Sequence, residues 1–190
     1  MASRCFFFIA LSITLVDFSS SQQVTAAHEP VDRRIQLSLS PFASGLEALQ
    51  NQIGYSFQKV GLLRLAMTHS SYSLENNNAL SILGANVIDT AVAVQSLRGD
   101  IDISSKTLSD RIAKVSNVEN SCAVDGKRLG IHKVIRVSSK MDSSTPSVVC
   151  GAFRAIFAAI ALDSGKVDEA GKVFLKVHGG GGGDVGRAAL

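Results

Sequence analysis

Apolar residues recur at helical spacing along most of the chain. The first amphipathic segment is predicted to begin with a capping box formed by Ser44 and Glu47 and to end at Gly54, a residue type that often terminates helices. A second helix is predicted over residues 61–69, and a third over residues 78–98. The apolar positions that define the third helix are Leu80, Leu83, Val87, Val94 and Leu97.

The helical pattern continues through the second half of the chain. Residues 107–129 are predicted to be helical, with a break near Ser116 and Asn117. Residues 147–162 are small and apolar almost throughout, so we expect them at the centre of the fold. Residues 167–177 close the domain. With about six or seven helices and no clear strand, the pattern predicts an all-α fold. The inward face of the 107–129 segment is predicted to hold Leu108, Ile112, Val115, Val118 and Cys122.

Composition supports this fold class and leaves the function open. The chain has 190 residues, of which 46% are hydrophobic and only 6% aromatic, and it lacks tryptophan, which favours packed helices over a β-sandwich. The formal net charge of +3 permits contact with RNA or an acidic surface but does not require it, because dedicated nucleic-acid binders are usually more basic.

The N-terminal segment is typical of a secretory signal peptide. A single charge, Arg4, precedes an apolar run over residues 5–16, and the Thr-Ala-Ala sequence at residues 25–27 has the small side chains of a cleavage site. The run is shorter than the roughly 20 residues that a transmembrane helix needs, so no stable membrane span is predicted. Residues 1–27 therefore indicate entry into the secretory pathway at the endoplasmic reticulum. A mitochondrial signal and a buried N-terminal helix are the alternatives.

The remaining chain divides into three regions. Residues 28–43 are interpreted as a linker bracketed by Pro30 and Pro41, residues 44–178 as the helical domain, and residues 179–190 as a glycine-rich flexible tail.

Two cysteines, Cys122 and Cys150, lie within the predicted domain. They could pair in an oxidising lumen. The favoured interpretation is two small buried apolar residues, because nothing in the sequence places the two side chains within bridging distance.

Several segments, in order, resemble the motifs of the ribonuclease III family. Gly54-Tyr55-Ser56-Phe57 is similar to the family's LGYxF motif, and residues 68–72 read Thr-His-Ser-Ser-Tyr, similar to THxSY. Residues 78–85 stand where the family has ERLEFLGD, residues 150–155 where it has ADAFEA, and residues 160–165 are similar to IYLDGG. The resemblance covers residues 46–178. It implies an all-helical domain that dimerises and that hydrolyses double-stranded RNA with Mg²⁺.

The resemblance also implies four metal-binding acids, and this chain has none of them. Two acids spaced four apart share one helix face, and two more on a later helix complete the site. The corresponding residues here are Ser81, Ala85, Gly151 and Arg154. We therefore expect neither a metal nor any other cofactor, and no cleavage. Arg154 would place a fixed positive charge where the ion would sit.

Three other residues are weighed as replacements for the lost chemistry. Glu75 precedes the third helix and Asp89 lies one turn past Ala85, but neither restores a carboxylate pair facing the later helix. His69 is interpreted as part of the structural corner of the THxSY motif, because a histidine without a partner is weak evidence for a catalytic base.

The function expected from these features is binding or scaffolding. Ile82 stands in place of the family's phenylalanine and is a candidate contact for a homodimer or for another helical domain. Double-stranded RNA is a second potential partner. Two further hypotheses stay open, namely a residual double-stranded-RNA endoribonuclease and a secretory-pathway protein without any RNA role. The candidate RNA-binding residues are Lys127, Arg128, Lys133, Arg136, Lys140 and Arg154.

Overall fold

The computed structural model describes residues 40–180, which fold into a bundle of helices. The predicted signal peptide, residues 28–39 of the predicted linker and residues 181–190 lie outside this range. The described helices are α1 (Pro41–Ile53), α2 (Val60–Ala66), α3 (Asn78–Gly99), α4 (Ser105–Ser116), α5 (Ala123–Arg128), α6 (Ile131–Val134), α7 (Pro146–Ser164) and α8 (Val167–Gly179), with a π-helical turn at Val118–Cys122 between α4 and α5. Within residues 40–180 there is no β-strand, only an isolated parallel bridge between Thr68 and Arg136. The predicted all-α class is confirmed.

Helix α7 occupies the centre of the bundle, as its composition predicts. It packs against α3, α8, α5, α2 and the π turn. Between Val148 and Ala161, every residue of α7 is buried except Gly151 and Arg154. Phe153 and Phe157 meet edge to face, with ring centroids 5.0 Å apart, and both rings contact Phe174 of α8. These aromatic rings are part of a larger core to which most of the helices contribute.

The first helix begins earlier than the sequence suggested. Ser40 is the N-cap, its hydroxyl accepts a hydrogen bond from the Ala43 amide at 3.1 Å, and Pro41 occupies the first helical position. The predicted capping box at Ser44 is therefore wrong, and residues 41–43 of the predicted linker belong to α1. Gly54 ends the helix in the left-handed conformation, with φ of 72°, as predicted.

Helix α3 begins at its predicted residue and ends one residue later than predicted, and of its predicted apolar positions Leu80 and Val87 are buried. Its buried positions include Gly84, Ile88 and Ser96, whereas Leu83 is 36% exposed and Val94 is 42% exposed. Apolar residues surround this helix on all sides, so their spacing alone could not identify the face that packs against α7.

The break predicted near Ser116 and Asn117 is confirmed. Asn117 has an extended backbone and its side-chain oxygen accepts hydrogen bonds from the amides of Glu119 and Asn120, which caps the following π turn. The turn ends at Cys122, which forms a disulfide with Cys150 of α7. The favoured interpretation of two unpaired cysteines is therefore wrong: the break at Asn117 brings together two residues that are 28 positions apart.

Among residues 40–180, two helices, α3 and α7, are long and apolar enough to cross a membrane by length and composition alone. In α7, 67% of the apolar window is buried inside the bundle, and in α3 the figure is 39%. Burial in a protein core accounts for the apolar character of α7, because core helices share the composition of membrane helices.

Asp163, near the end of α7, forms hydrogen bonds that hold the loop between α1 and α2 in place. Its carboxylate accepts hydrogen bonds from the Tyr55 hydroxyl at 2.9 Å and from the amides of Gln58 and Lys59 at 3.0 and 2.7 Å. Burial, followed by the hydrogen bond to Asp163 and the charge of that residue, raises the pKa of Tyr55 to about 12.

The shifted pKa of Tyr55 predicts a late tyrosine titration. The chain has only two tyrosines, so a Tyr72→Phe variant reports on Tyr55 alone. We expect its tyrosinate absorbance to rise around pH 12, and Asp163→Asn to move the rise toward the ordinary value of 10.0. Because the folded pKa lies above the unfolded one, the stabilisation is complete below pH 10 and is lost as the pH rises toward 12. A Tyr72→Phe titration near pH 10, in a chain still folded by circular dichroism, would contradict this prediction.

Candidate functional site

The candidate site lies where α3 crosses α7, and Gly84 sets the spacing of the two helices. A Cβ atom on Gly84 would lie 1.8 Å from the carbonyl oxygen of Arg154, much closer than atoms can approach. The backbones of α3 and α7 therefore touch at this point. The residues one turn away from the contact consequently face each other across a short gap.

The four positions that resemble the family's metal ligands lie together around this crossing. Ser81 and Ala85 flank Gly84 on α3, and Gly151 and Arg154 interrupt the buried run of α7. A Cβ atom on Gly151 would lie 3.8 Å from the Ser81 hydroxyl oxygen, so these two positions face each other with room for a side chain. All four residues are half-buried.

This face does not fit a divalent metal ion. Mg²⁺ prefers carboxylate and other oxygen ligands, and the four residues offer one neutral hydroxyl and one guanidinium. Within residues 40–180, no group of three or more histidine, cysteine, aspartate or glutamate side chains is arranged to hold a metal ion.

Arg154 has a partner inside the fold. Its guanidinium donates a hydrogen bond of 2.8 Å to the carbonyl oxygen of Ser116, the last residue of α4. The Ser116 hydroxyl donates in turn to the Asp89 carboxylate on α3. Ser116 thereby links α3, α4 and α7. A cation at the C-terminal end of α4 also interacts favourably with the helix dipole. The sequence marked Ser116 only as the site of a helix break and gave no sign that it bonds to Arg154 and Asp89.

Arg154 is expected to hold α4 in place. Helix α4 is amphipathic and buries none of its residues fully, although Ile112 and Val115 pack against the core. We expect Arg154→Met to raise hydrogen exchange of the α4 amides by at least about ten-fold, because a hydrogen bond to a charged group contributes roughly 1.5–3 kcal/mol. Hydrogen–deuterium exchange with mass spectrometry measures this, and the amides of α7 should change little.

Arg111→Met is the matched control for this experiment. Arg111 is exposed on α4 and, among the described residues, forms no hydrogen bond or ion pair. Equal exchange rates in the two variants would show that Arg154 does not hold the helix.

The two acids weighed as replacements, Asp89 and Glu75, are not positioned together as metal ligands, as expected from the sequence. The Asp89 carboxylate accepts a hydrogen bond from the Ser116 hydroxyl. Glu75 is exposed in the loop before α3. The structure thus brings Asp89 close to Arg154 through Ser116, and it leaves Glu75 apart.

The candidate RNA-binding residues fall into two groups. Lys127, Lys133 and Lys140 are exposed. Arg128 is also exposed, but it pairs with Asp125 at 2.8 Å and donates to the carbonyl oxygen of Val177 at 2.6 Å. Asp125 is buried and also contacts His178 at 2.6 Å. This cluster ties the end of α8 to α5, an intramolecular role that the sequence did not reveal.

Arg136 is also used within the fold. Its guanidinium lies between the rings of Phe42 and Tyr72, 4.4 and 4.9 Å from their centroids, and donates to the Thr68 hydroxyl. His69 belongs to the same corner, where its Nδ1 accepts from the Ser71 amide at 3.1 Å. This places His69 in a turn that joins the Thr68–Tyr72 motif to the segment around Arg136.

Ile82, the candidate dimer contact, is 70% exposed on the outer side of α3. An apolar side chain of this size gains free energy from burial, so its exposure is compatible with a partner surface.

Comparison with known proteins agrees with this geometry. The sequence pattern of the family described as ribonuclease-III-like matches residues 60–178. The chain belongs to the ribonuclease III-like family. The resemblance seen in the sequence motifs is thereby confirmed.

Among relatives of this ribonuclease III-like chain, the protein NUCLEAR FUSION DEFECTIVE 2 of Arabidopsis thaliana is 59% identical over 162 residues, which cover 85% of this chain and 84% of that protein. Ribonuclease 3 of Thiobacillus denitrificans is 33% identical over 128 residues, covering 66% of this chain and 56% of the bacterial protein. The chain thus spans about half the length of the bacterial ribonucleases it matches.

The fold also matches that of a ribonuclease III nuclease domain. The crystal structure of this domain from Campylobacter jejuni has a TM-score of 0.68 and 26% identity, covering 73% of this chain and 97% of the domain. A second structure of the domain, with a TM-score of 0.67, covers 71% of this chain and 96% of its own length and is described as flexible in a region involved in dimer formation.

Proposed function

We propose that this chain is a ribonuclease III-like domain that no longer cleaves RNA and that serves as a protein-binding scaffold in nuclear fusion (karyogamy). The observation that carries the proposal is the make-up of the α3–α7 face. Its four candidate ligand positions hold a serine, an alanine, a glycine and an arginine, and the arginine is bonded to the end of α4. The link to nuclear fusion rests on the name of the Arabidopsis relative.

The test is cleavage of duplex RNA in Mg²⁺ by the full chain, with binding and cleavage scored in the same samples. We expect no cleavage. A variant with Ser81→Glu, Ala85→Asp, Gly151→Asp and Arg154→Glu restores the acids of the family motifs, and it should gain Mg²⁺-dependent cleavage because the helices that position them are retained. The matched control carries the amides Gln, Asn, Asn and Gln at the same positions and should stay inactive.

Each outcome bears on a different alternative. Mg²⁺-dependent cleavage by the unaltered chain would overturn the proposal and favour a residual endoribonuclease. RNA binding without cleavage, weakened by Arg154→Glu, would favour an RNA-binding scaffold. Two of the candidate RNA-binding residues, Arg136 and Arg154, are half-buried and bonded within the fold, which supports a protein partner over RNA.

The scaffold is proposed to act in the secretory pathway. The Cys122–Cys150 disulfide supports this location, because disulfides persist in oxidising compartments, and the signal-like residues 1–27 agree with it. The full chain fused at its C-terminus to a fluorescent protein should mark the endoplasmic reticulum in plant cells. A mitochondrial pattern would contradict this location.

We also propose that the scaffold self-associates through the surface around Ile82. The apolar exposure of Ile82 and the dimer-forming region described for the Campylobacter jejuni domain support this contact. Sedimentation of the full chain should show a dimer that Ile82→Asp dissociates. A chain that is monomeric at all concentrations would overturn the proposal.

A further inference from the structure

A groove between α3 and α8 lies away from the α3–α7 face. Its volume is about 410 Å³, and apolar side chains from both helices line it, among them Val87, Val94 and Leu175. At its floor α3 and α8 approach closely, because a Cβ atom on Gly171 would lie 3.1 Å from that of Ala91. Small residues therefore lie where the two helices approach, and larger apolar side chains stand on either side of them.

Charge at the rim of the groove is not balanced. Lys172 and Asp168 pair with each other at 3.3 Å, and both are exposed. Arg98, near the end of α3, forms no hydrogen bond or ion pair with any described residue. Asp100 and Asp102 follow α3, yet neither forms an ion pair with it. The groove therefore presents one uncompensated positive charge.

We infer that this groove docks a short amphipathic helix of another protein, with an acidic side chain of that helix paired to Arg98. The groove follows α3 from Val87 to Arg98, about 16 Å or three helical turns at 1.5 Å per residue, which suits a helix laid along it. Val94 and Val167, which line the groove, are 42% and 52% exposed, so its apolar surface is open to a protein partner. The inference rests on the proposed scaffold function and names its partner surface.

The test uses three fluorescein-labelled synthetic peptides of 14 residues and the full chain. The first is a helix former with leucines at positions i, i+3, i+4 and i+7 and one glutamate beside that face. The second has lysine in place of the glutamate, and the third is a scrambled sequence of the first. Fluorescence anisotropy should show saturable binding of the glutamate peptide, with binding of the lysine peptide at least ten-fold weaker.

Two variants assign this binding to the groove. Arg98→Glu should reverse the preference between the two peptides, and Val94→Gln should weaken both of them by removing an apolar wall. Arg111→Glu, an equal charge change on α4, is the matched control and should leave both affinities unchanged. Circular dichroism confirms that each variant folds.

Three results would overturn the inference: no saturable binding, equal binding of the scrambled peptide, or an Arg98→Glu variant that affects the glutamate and lysine peptides alike. These failures are distinct from failure of the proposed function. If the chain neither cleaves duplex RNA nor binds the glutamate peptide, the scaffold proposal stands and the groove inference fails. If the chain cleaves RNA, the scaffold proposal fails, whether or not a peptide binds in the groove.

Discussion

Replacing Gly84 with alanine is expected to destabilise the domain by about 3 kcal/mol, the upper end of the range for overpacked cores. The added methyl group would lie 1.8 Å from the Arg154 carbonyl oxygen and 2.5 Å from its carbonyl carbon. Both are backbone atoms, so no side-chain rotation can relieve the clash, and α3 must move away from α7. Urea unfolding followed by circular dichroism measures the loss.

Gly99→Ala is the matched control on the same helix. A Cβ atom at Gly99 meets nothing within 4 Å, so this substitution should change the free energy of unfolding by at most about 1 kcal/mol, in the stabilising direction. If Gly84→Ala and Gly99→Ala were equally stable, the close approach of α3 and α7 would be wrong.

Removing the Cys122–Cys150 disulfide is the second change with a large expected effect. The bridge closes a loop across 28 positions, and the chain-entropy relation for such a loop gives roughly 3–4 kcal/mol. Both sulfurs belong to buried residues, so the double variant Cys122→Ala and Cys150→Ala also loses packing. We expect a Tm lower by roughly 10 °C or more, because about 1 kcal/mol shifts the Tm of a domain of this size by a few degrees.

Reduction by dithiothreitol distinguishes the stability that the disulfide contributes from the stability that side-chain packing contributes. In a Cys5→Ser background, which removes the only other cysteine, the reductant should lower the Tm of the bridged chain and leave that of the double alanine variant unchanged. An equal response of both chains to reductant would contradict a stabilising disulfide.

The helix boundaries that the sequence predicts correctly are marked by residues at the boundary itself. Gly54 ends α1 and Asn117 interrupts the segment after α4, and each has a backbone conformation that its residue type favours. The central place of α7 follows from its uniformly small apolar residues. The start of α1 was misplaced because Ser40 and Ser44 both resemble N-caps, and only Pro41 at the first helical position separates them.

The contacts that could not be predicted join residues far apart in sequence. The cysteine pair depends on the turn at Asn117, and the partners of Arg136 come from the start of α1 and from the loop before α3. A basic residue in a sequence carries no sign of whether its charge faces solvent or an aromatic ring. For this reason, the candidate RNA-binding set could be named from the sequence but its three arginines could not be recognised as internal contacts.

The direct backbone contact at Gly84 bears on how such a domain can change over evolutionary time. The distance between α3 and α7 is fixed by main-chain atoms and does not require an ion between the helices. Carboxylates crowded around one ion repel each other when it leaves, so each replacement by a neutral residue relieves strain. The packing of such a domain therefore does not depend on its metal ligands, and selection can act on its outer surfaces without them.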